Sequence, residues 1–135
     1  MKTIKGLFIL IIIGLAGCQI VIEEPYEPAN RFVGSYEVDE WSETLGLQSF
    51  FEIYIHKDRF ESDIIYIDNF YDLGIEVFAE VNGSRIRIPR QVAGFYEIEG
   101  LGSLYNGELS LDYSVRDINS YTGLVDYCNA ISYQY

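Results

Sequence analysis

The chain has 135 residues and a formal charge of −12, with 21 acidic residues, 9 basic residues and one histidine. That length holds one domain once a leader is removed. The acid excess argues against nucleic-acid binding and against charge-driven adsorption to anionic lipid, since both need positive charge.

The first element is a leader. Lys2 and Lys5 give a positive start, residues 7–13 are an uncharged apolar run, and Leu15-Ala16-Gly17-Cys18 closes it. The apolar stretch falls short of the roughly 20 residues of a membrane span, so it reads as a signal peptide over residues 1–17. The closing tetrad resembles the lipobox of bacterial lipoproteins. The resemblance implies diacylglycerol in thioether linkage to the Cys18 sulfur, cleavage ahead of Cys18, and acylation of the new amine. Several acyl chains anchor stably where one is marginal. Gln19 stands after the cysteine where an aspartate would favour the inner membrane. By that resemblance the expected location is the outer membrane of a bacterial envelope, on its periplasmic face or at the cell surface. Glu23-Glu24 resembles the acidic export tags of Bacteroidota lipoproteins.

Residues 18–31 read as a lipidated tether stiffened by Pro25 and Pro28, and residues 32–135 as the domain. With Cys18 lipidated, Cys128 is left alone, so no intramolecular disulfide is expected, and Cys128 reads as a small buried hydrophobe.

From Phe32 onward the apolar period is two. Strands are expected over residues 33–41, 49–57 and 63–68, with Asn69-Phe70 closing the third and Asp72-Leu73-Gly74 turning. A fourth over 75–81 meets a fifth over 84–88 through Asn82-Gly83. A type I′ turn there would place Val81 opposite Ser84, Glu80 opposite Arg85, and Phe78 opposite Arg87. Pro89 is expected to end the fifth strand. A sixth strand over 95–100, an Asn106-Gly107 turn, a seventh over 108–116, a polar loop over 117–123 and an eighth over 124–133 complete the chain. A short helical turn fits within 43–48. The fold class is all-β: an antiparallel up-and-down meander of about eight strands closing into a small barrel, with a two-sheet sandwich as the alternative.

Several pieces together resemble a family of small Bacteroidota lipoproteins with a lipocalin-like barrel. They are Phe32-Val33-Gly34-Ser35-Tyr36, Ile67-Asp68-Asn69-Phe70-Tyr71, Val77-Phe78-Ala79-Glu80-Val81-Asn82-Gly83, Ile86-Arg87-Ile88-Pro89-Arg90-Gln91, Ile98-Glu99-Gly100-Leu101-Gly102 and Leu109-Ser110-Leu111-Asp112-Tyr113. The resemblance implies an anchored barrel and no particular activity.

Catalytic chemistry is not signalled. His56 lacks a nucleophile elbow and reads as a surface histidine. His56 and Cys128 alone make no zinc site. Asp63, Asp68 and Asp72 lack the spacing of a dedicated calcium loop. Gly100-Leu101-Gly102 falls between strands and cradles no phosphate. Paired carboxylates for hydrolysis need a cleft that the sequence does not display. No catalytic residue, cofactor or metal is expected. Aromatic residues are abundant, and Tyr121, Tyr127, Tyr133 and Tyr135 crowd the C-terminal end. They read as margins of a β core or as a surface that stacks on ligands. The expected role is a non-enzymatic binding or accessory domain. It is held to the membrane through Cys18 and contacts an envelope protein or a small apolar or sugar ligand. The alternative is a solid, ligand-free barrel that serves as a structural part of an outer-membrane complex.

Overall fold

The computed structural model describes residues 27–135. The leader, Cys18, Glu23-Glu24 and Pro25 lie outside the described residues. The strands are β1 (Gly34–Ser42), β2 (Leu47–Lys57), β3 (Ile64–Phe70), β4 (Ile75–Asn82), β5 (Arg85–Ala93), β6 (Tyr96–Tyr105), β7 (Glu108–Asp117) and β8 (Val125–Gln134). Each pairs antiparallel with the next, and β8 pairs back onto β1, closing an up-and-down barrel. The sandwich alternative is thereby set aside.

The alternation of side chains explains the closure. Along β1, Tyr36, Val38, Glu40 and Ser42 point inward and are buried; along β8, Asp126, Cys128, Ala130 and Ser132 do the same. Charged residues such as Glu37, Glu52 and Asp112 face out. This apolar-in, charged-out arrangement is the inverse of a lipid-facing barrel. Closure leaves no free sheet edge.

The β4–β5 hairpin differs from the expected one. Asn82 pairs with Arg85, Val81 with Ile86 and Glu80 with Arg87, so the two-residue loop is Gly83-Ser84. Of Asn82, Gly83 and Ser84, only Gly83 has positive φ, at 62°. A type I′ turn on Asn82-Gly83 would need it at both. The register slips by two residues, which keeps every side chain on its face. Glu80 and Arg87 then form an ion pair at 3.1 Å, and the expected Phe78–Arg87 pair does not form. Asn106-Gly107 does make the expected tight turn, with φ of 49° and 76°.

Pro89 does not end β5. The ladder to β6 shifts between Ile88 and Gln91, and the proline sits in that irregularity. The Gln91 side chain stands in for backbone there: its Oε1 accepts from Phe78 N–H at 3.0 Å and its Nε2 donates to Phe78 O at 2.9 Å. β6 likewise runs on through Gly100-Leu101-Gly102. A Cβ at Gly100 would stand 2.6 Å from the Asp112 carbonyl oxygen, so those glycines permit close approach of β7. Residues 43–46 form a turn rather than a helical segment.

The strand order gives the barrel two distinct ends. At one end lie the β2–β3, β4–β5 and β6–β7 links and the start of β1. A 3-10 helix, Pro28–Phe32, closes it by packing on β2, β3 and β4. Ala29 and Phe32 are fully buried there, and Tyr36 donates its hydroxyl to Phe32 O at 2.7 Å. Ala29 lies in the segment read as tether, so the barrel's cap begins at Pro28. At the other end, the mouth, lie the β1–β2, β3–β4, β5–β6 and β7–β8 links. Between the ends the interior is filled. Phe70 and Tyr113 meet at a tilt of 55° with 4.6 Å between ring centroids, and the void beside them is about 10 Å³, the least that a water needs.

Candidate functional site

The mouth holds the polar residues of the interior. Ser42 and Asp126 both point inward and meet there. Ser42 donates its hydroxyl to Asp126 and accepts the Leu45 N–H at 3.0 Å. Tyr71, from the β3–β4 turn, donates its hydroxyl to the other Asp126 oxygen. Asp126 is thus held by two hydroxyls. Glu40 lies one inward position deeper on β1. It is 4 % exposed, and its Oε2 has no hydrogen-bond partner among the described residues. Cys128 shares the inward row of β8 with Asp126, and its thiol is close enough to Glu40 and Asp126 to feel both charges.

The electrostatics follow from this packing. Burial, then the negative charges of Asp126 and Asp72, pushes Glu40 up to about 7 from its ordinary 4.5. Burial and the same neighbouring acids, Glu40 and Asp126, push the Cys128 thiol well above its usual range. Cys128 is therefore buried as expected, but among carboxyls, and it is not a thiolate nucleophile. Tyr71 is likewise raised, by burial and then by its bond to Asp126, so it stays a donor.

The backbone that presents Tyr71 is unusual. Asn69, Tyr71 and Asp72 all have positive φ, between 57° and 61°. A bulky aromatic residue rarely adopts this conformation, and such strain gathers at functional sites. The Asn69 side chain holds the turn: its Nδ2 donates to Glu52 O at 2.7 Å and its Oδ1 accepts from Gly74 N–H at 2.9 Å. The β1–β2 turn is stitched to β8 in turn, with Tyr127 N–H donating to Thr44 Oγ1 at 3.0 Å. Between the two turns opens a cleft of about 250 Å³. Glu40, Asp126 and Asp72 line it together with Leu45, Leu47 and Leu73.

Two other places compete for attention. Grooves of about 470 and 530 Å³ run over the outer wall, the first across β5–β8 and the second across β4–β7. They are open, and two of their arginines are paired, Arg87 with Glu80 and Arg90 with Glu97 and Glu99, while Arg85 lines the second groove without an ion pair among the described residues. The second place is His56, flanked by the rings of Tyr54 and Tyr66 at 6.0 and 5.3 Å. Its Nδ1 lies 3.2 Å from Asp68, and its Nε2 lies 3.7 Å from Glu76. A hydrogen bond to Asp68 raises the Glu76 carboxyl. One imidazole and two carboxylates, with donor atoms within 4.8 Å of one another, can accept a divalent cation. The trio is solvent-facing.

The sequence-level candidates scatter. Asp68 joins His56, while Asp72 lies at the mouth, so the three aspartates weighed for calcium do not converge. Tyr121 is in the loop between β7 and β8, Tyr127 is on the outer wall near the mouth, and Tyr133 and Tyr135 lie toward the capped end. All four are exposed, and they form no single patch. Cys18 lies outside the described residues. Sequence reasoning missed Glu40, Ser42 and Asp126, although each falls in phase with inward-facing neighbours two residues away. Compared with known proteins, the chain matches no family model, no curated protein and no solved structure.

Proposed function

We propose that the chain is a lipid-anchored envelope lipoprotein of the outer membrane, related in kind to small Bacteroidota lipoproteins, whose barrel is a non-enzymatic binding module that meets its ligand at the mouth. The anchor rests on the leader and on Leu15-Ala16-Gly17-Cys18. The binding role rests on one observation above the others: a buried carboxyl oxygen, Glu40 Oε2, without a partner beside an open cleft. An unpaired buried polar atom costs stability, and such groups persist where a ligand uses them. Binding is favoured over catalysis because both Asp126 oxygens are already engaged by Ser42 and Tyr71. Carboxylate-pair hydrolysis needs a second acid free to work on water or substrate.

Topology supports the orientation. Pro28 enters at the capped end, opposite the mouth. A chain anchored at Cys18 would present the cleft away from the bilayer.

The test is a native mass spectrum of the full lipidated protein extracted from its own envelope. The expected result is a small retained mass that is lost in Leu47→Arg, which fills the rim of the cleft. Cys18→Ala should abolish acyl labelling and release the protein from the membrane fraction. A filled interior favours a second reading, a structural subunit with a solid barrel. That reading predicts the bare lipidated mass in both proteins.

A further inference from the structure

Building on the mouth as the ligand end, we propose that the cleft takes a primary ammonium group on a short apolar stem. The nitrogen bonds the Glu40 carboxyl, and the stem lies against Leu45, Leu47 and Leu73.

Four observations select this chemistry. The lining carries three carboxyls, Glu40, Asp72 and Asp126, and no basic residue. A cation is therefore the ligand charge that the site complements, because buried charge is tolerated only when paired. The acceptor is the Glu40 carboxyl, only 4 % exposed in the cleft lining, and its Oε2 has no partner among the described residues. A guanidinium is a broad planar fork, whereas an ammonium is a compact point charge that suits so recessed a carboxyl. The rim is apolar and half-exposed, with Leu45 49 %, Leu47 59 % and Leu73 41 % accessible. Those side chains would gain from covering a hydrocarbon stem. Finally, about 250 Å³ is below the usual range for drug-sized ligands and suits a head group of a few heavy atoms. A bare metal ion fits poorly, because the only group of three His, Cys or acidic residues close enough to share one ion, among the described residues, is His56, Asp68 and Glu76 on the outer wall.

The site also sets a pH dependence. Titratable groups facing Glu40 are Asp126 and Cys128 on β8, and Tyr71 and Asp72 from the β3–β4 turn, with Tyr113 on β7 behind Tyr71. The neighbouring β2 lines the cleft with Leu47, Ser49 and Phe51, none of them acidic or basic. Glu40 is mostly protonated below about pH 7. An ammonium must displace that proton, so affinity should rise about tenfold from pH 6 to pH 8.

The experiment is calorimetric titration of the full chain, in an uncharged detergent, with n-butylammonium and with n-butanol as its neutral counterpart. Butylammonium should bind with the stated pH rise, and butanol should bind at least tenfold more weakly. Glu40→Gln should weaken the amine at least tenfold at pH 8 and flatten the pH profile. Asp72→Asn, on an exposed turn where asparagine tolerates positive φ, should weaken it two- to threefold and keep the profile. Equal binding of butanol, or amine binding unchanged by Glu40→Gln, would overturn the proposal. If butylammonium fails while the envelope-extracted protein still retains a mass that Leu47→Arg removes, the ligand class is wrong and the mouth reading stands. If both fail, both readings fall.

Discussion

Glu40 is the residue on which the functional account turns, and its cost to the fold can be measured. In the folded protein its carboxyl titrates near 7, against an ordinary 4.5. Between those values the folded state holds more protons than the unfolded state. Stability therefore falls as pH rises from about 4.5 to 7, and the full loss, on the order of 3 kcal/mol, persists above. Glu40→Gln should match the parent near pH 4.5 and exceed it by about 2–3 kcal/mol at pH 8. Urea unfolding midpoints at the two pH values check this; parallel shifts at both would refute it. The placement of Glu40 was half legible in the sequence. The run Tyr36-Val38-Glu40-Ser42 has period two, and so does Asp126-Cys128-Ala130-Ser132. Period alone puts both acids on the apolar face. What it cannot give is the closing register, with Glu40 opposite Ala130 and Ser42 opposite Cys128, which sets the two acids around one thiol.

Among the elements, the strands were readable because each buries one face, and alternation fixes which one. The β4–β5 hairpin shows the limit. A slip of two residues preserves that alternation, so the apolar pattern cannot choose between Asn82-Gly83 and Gly83-Ser84 as the loop. The difference is testable with one pair of variants. Asn82 is a strand position, so Asn82→Thr should change stability by less than about 0.5 kcal/mol or raise it, because β-branched residues suit strands. Gly83→Ala should cost about 1–2 kcal/mol, because Gly83 has a φ of 62°. Thermal unfolding of both variants decides it: a large loss at Asn82 would restore the type I′ turn. The continuation of β5 past Pro89 was hidden for a different reason. The missing donor is bypassed by the Gln91 side chain, a substitution that no local pattern announces. The Tyr71 turn was hidden likewise, since asparagine and glycine advertise positive φ and tyrosine does not.

At the scale of the molecule, the closed barrel separates two ends with different work. The capped end is sealed by the buried Ala29 and Phe32, and the 3-10 helix Pro28–Phe32 enters there. The mouth gathers the buried acids Glu40 and Asp126, the strained turn and the cleft. In the proposed anchored form, strands of about ten residues, spanning roughly 30 Å, would hold the cleft that far beyond the anchored end. The excess of acid over base then keeps the barrel off an anionic surface while the acyl chains retain it there. The filled interior assigns binding to the cleft and not to a central cavity. That assignment depends on Glu40 being dehydrated and poorly paired. The most direct measurement is a carbon-detected NMR pH titration of the Glu40 carboxyl in the full chain in uncharged detergent. A midpoint near 7 is expected. A midpoint near the ordinary 4.5 would mean a hydrated, satisfied carboxyl, and would contradict the mouth as a binding site.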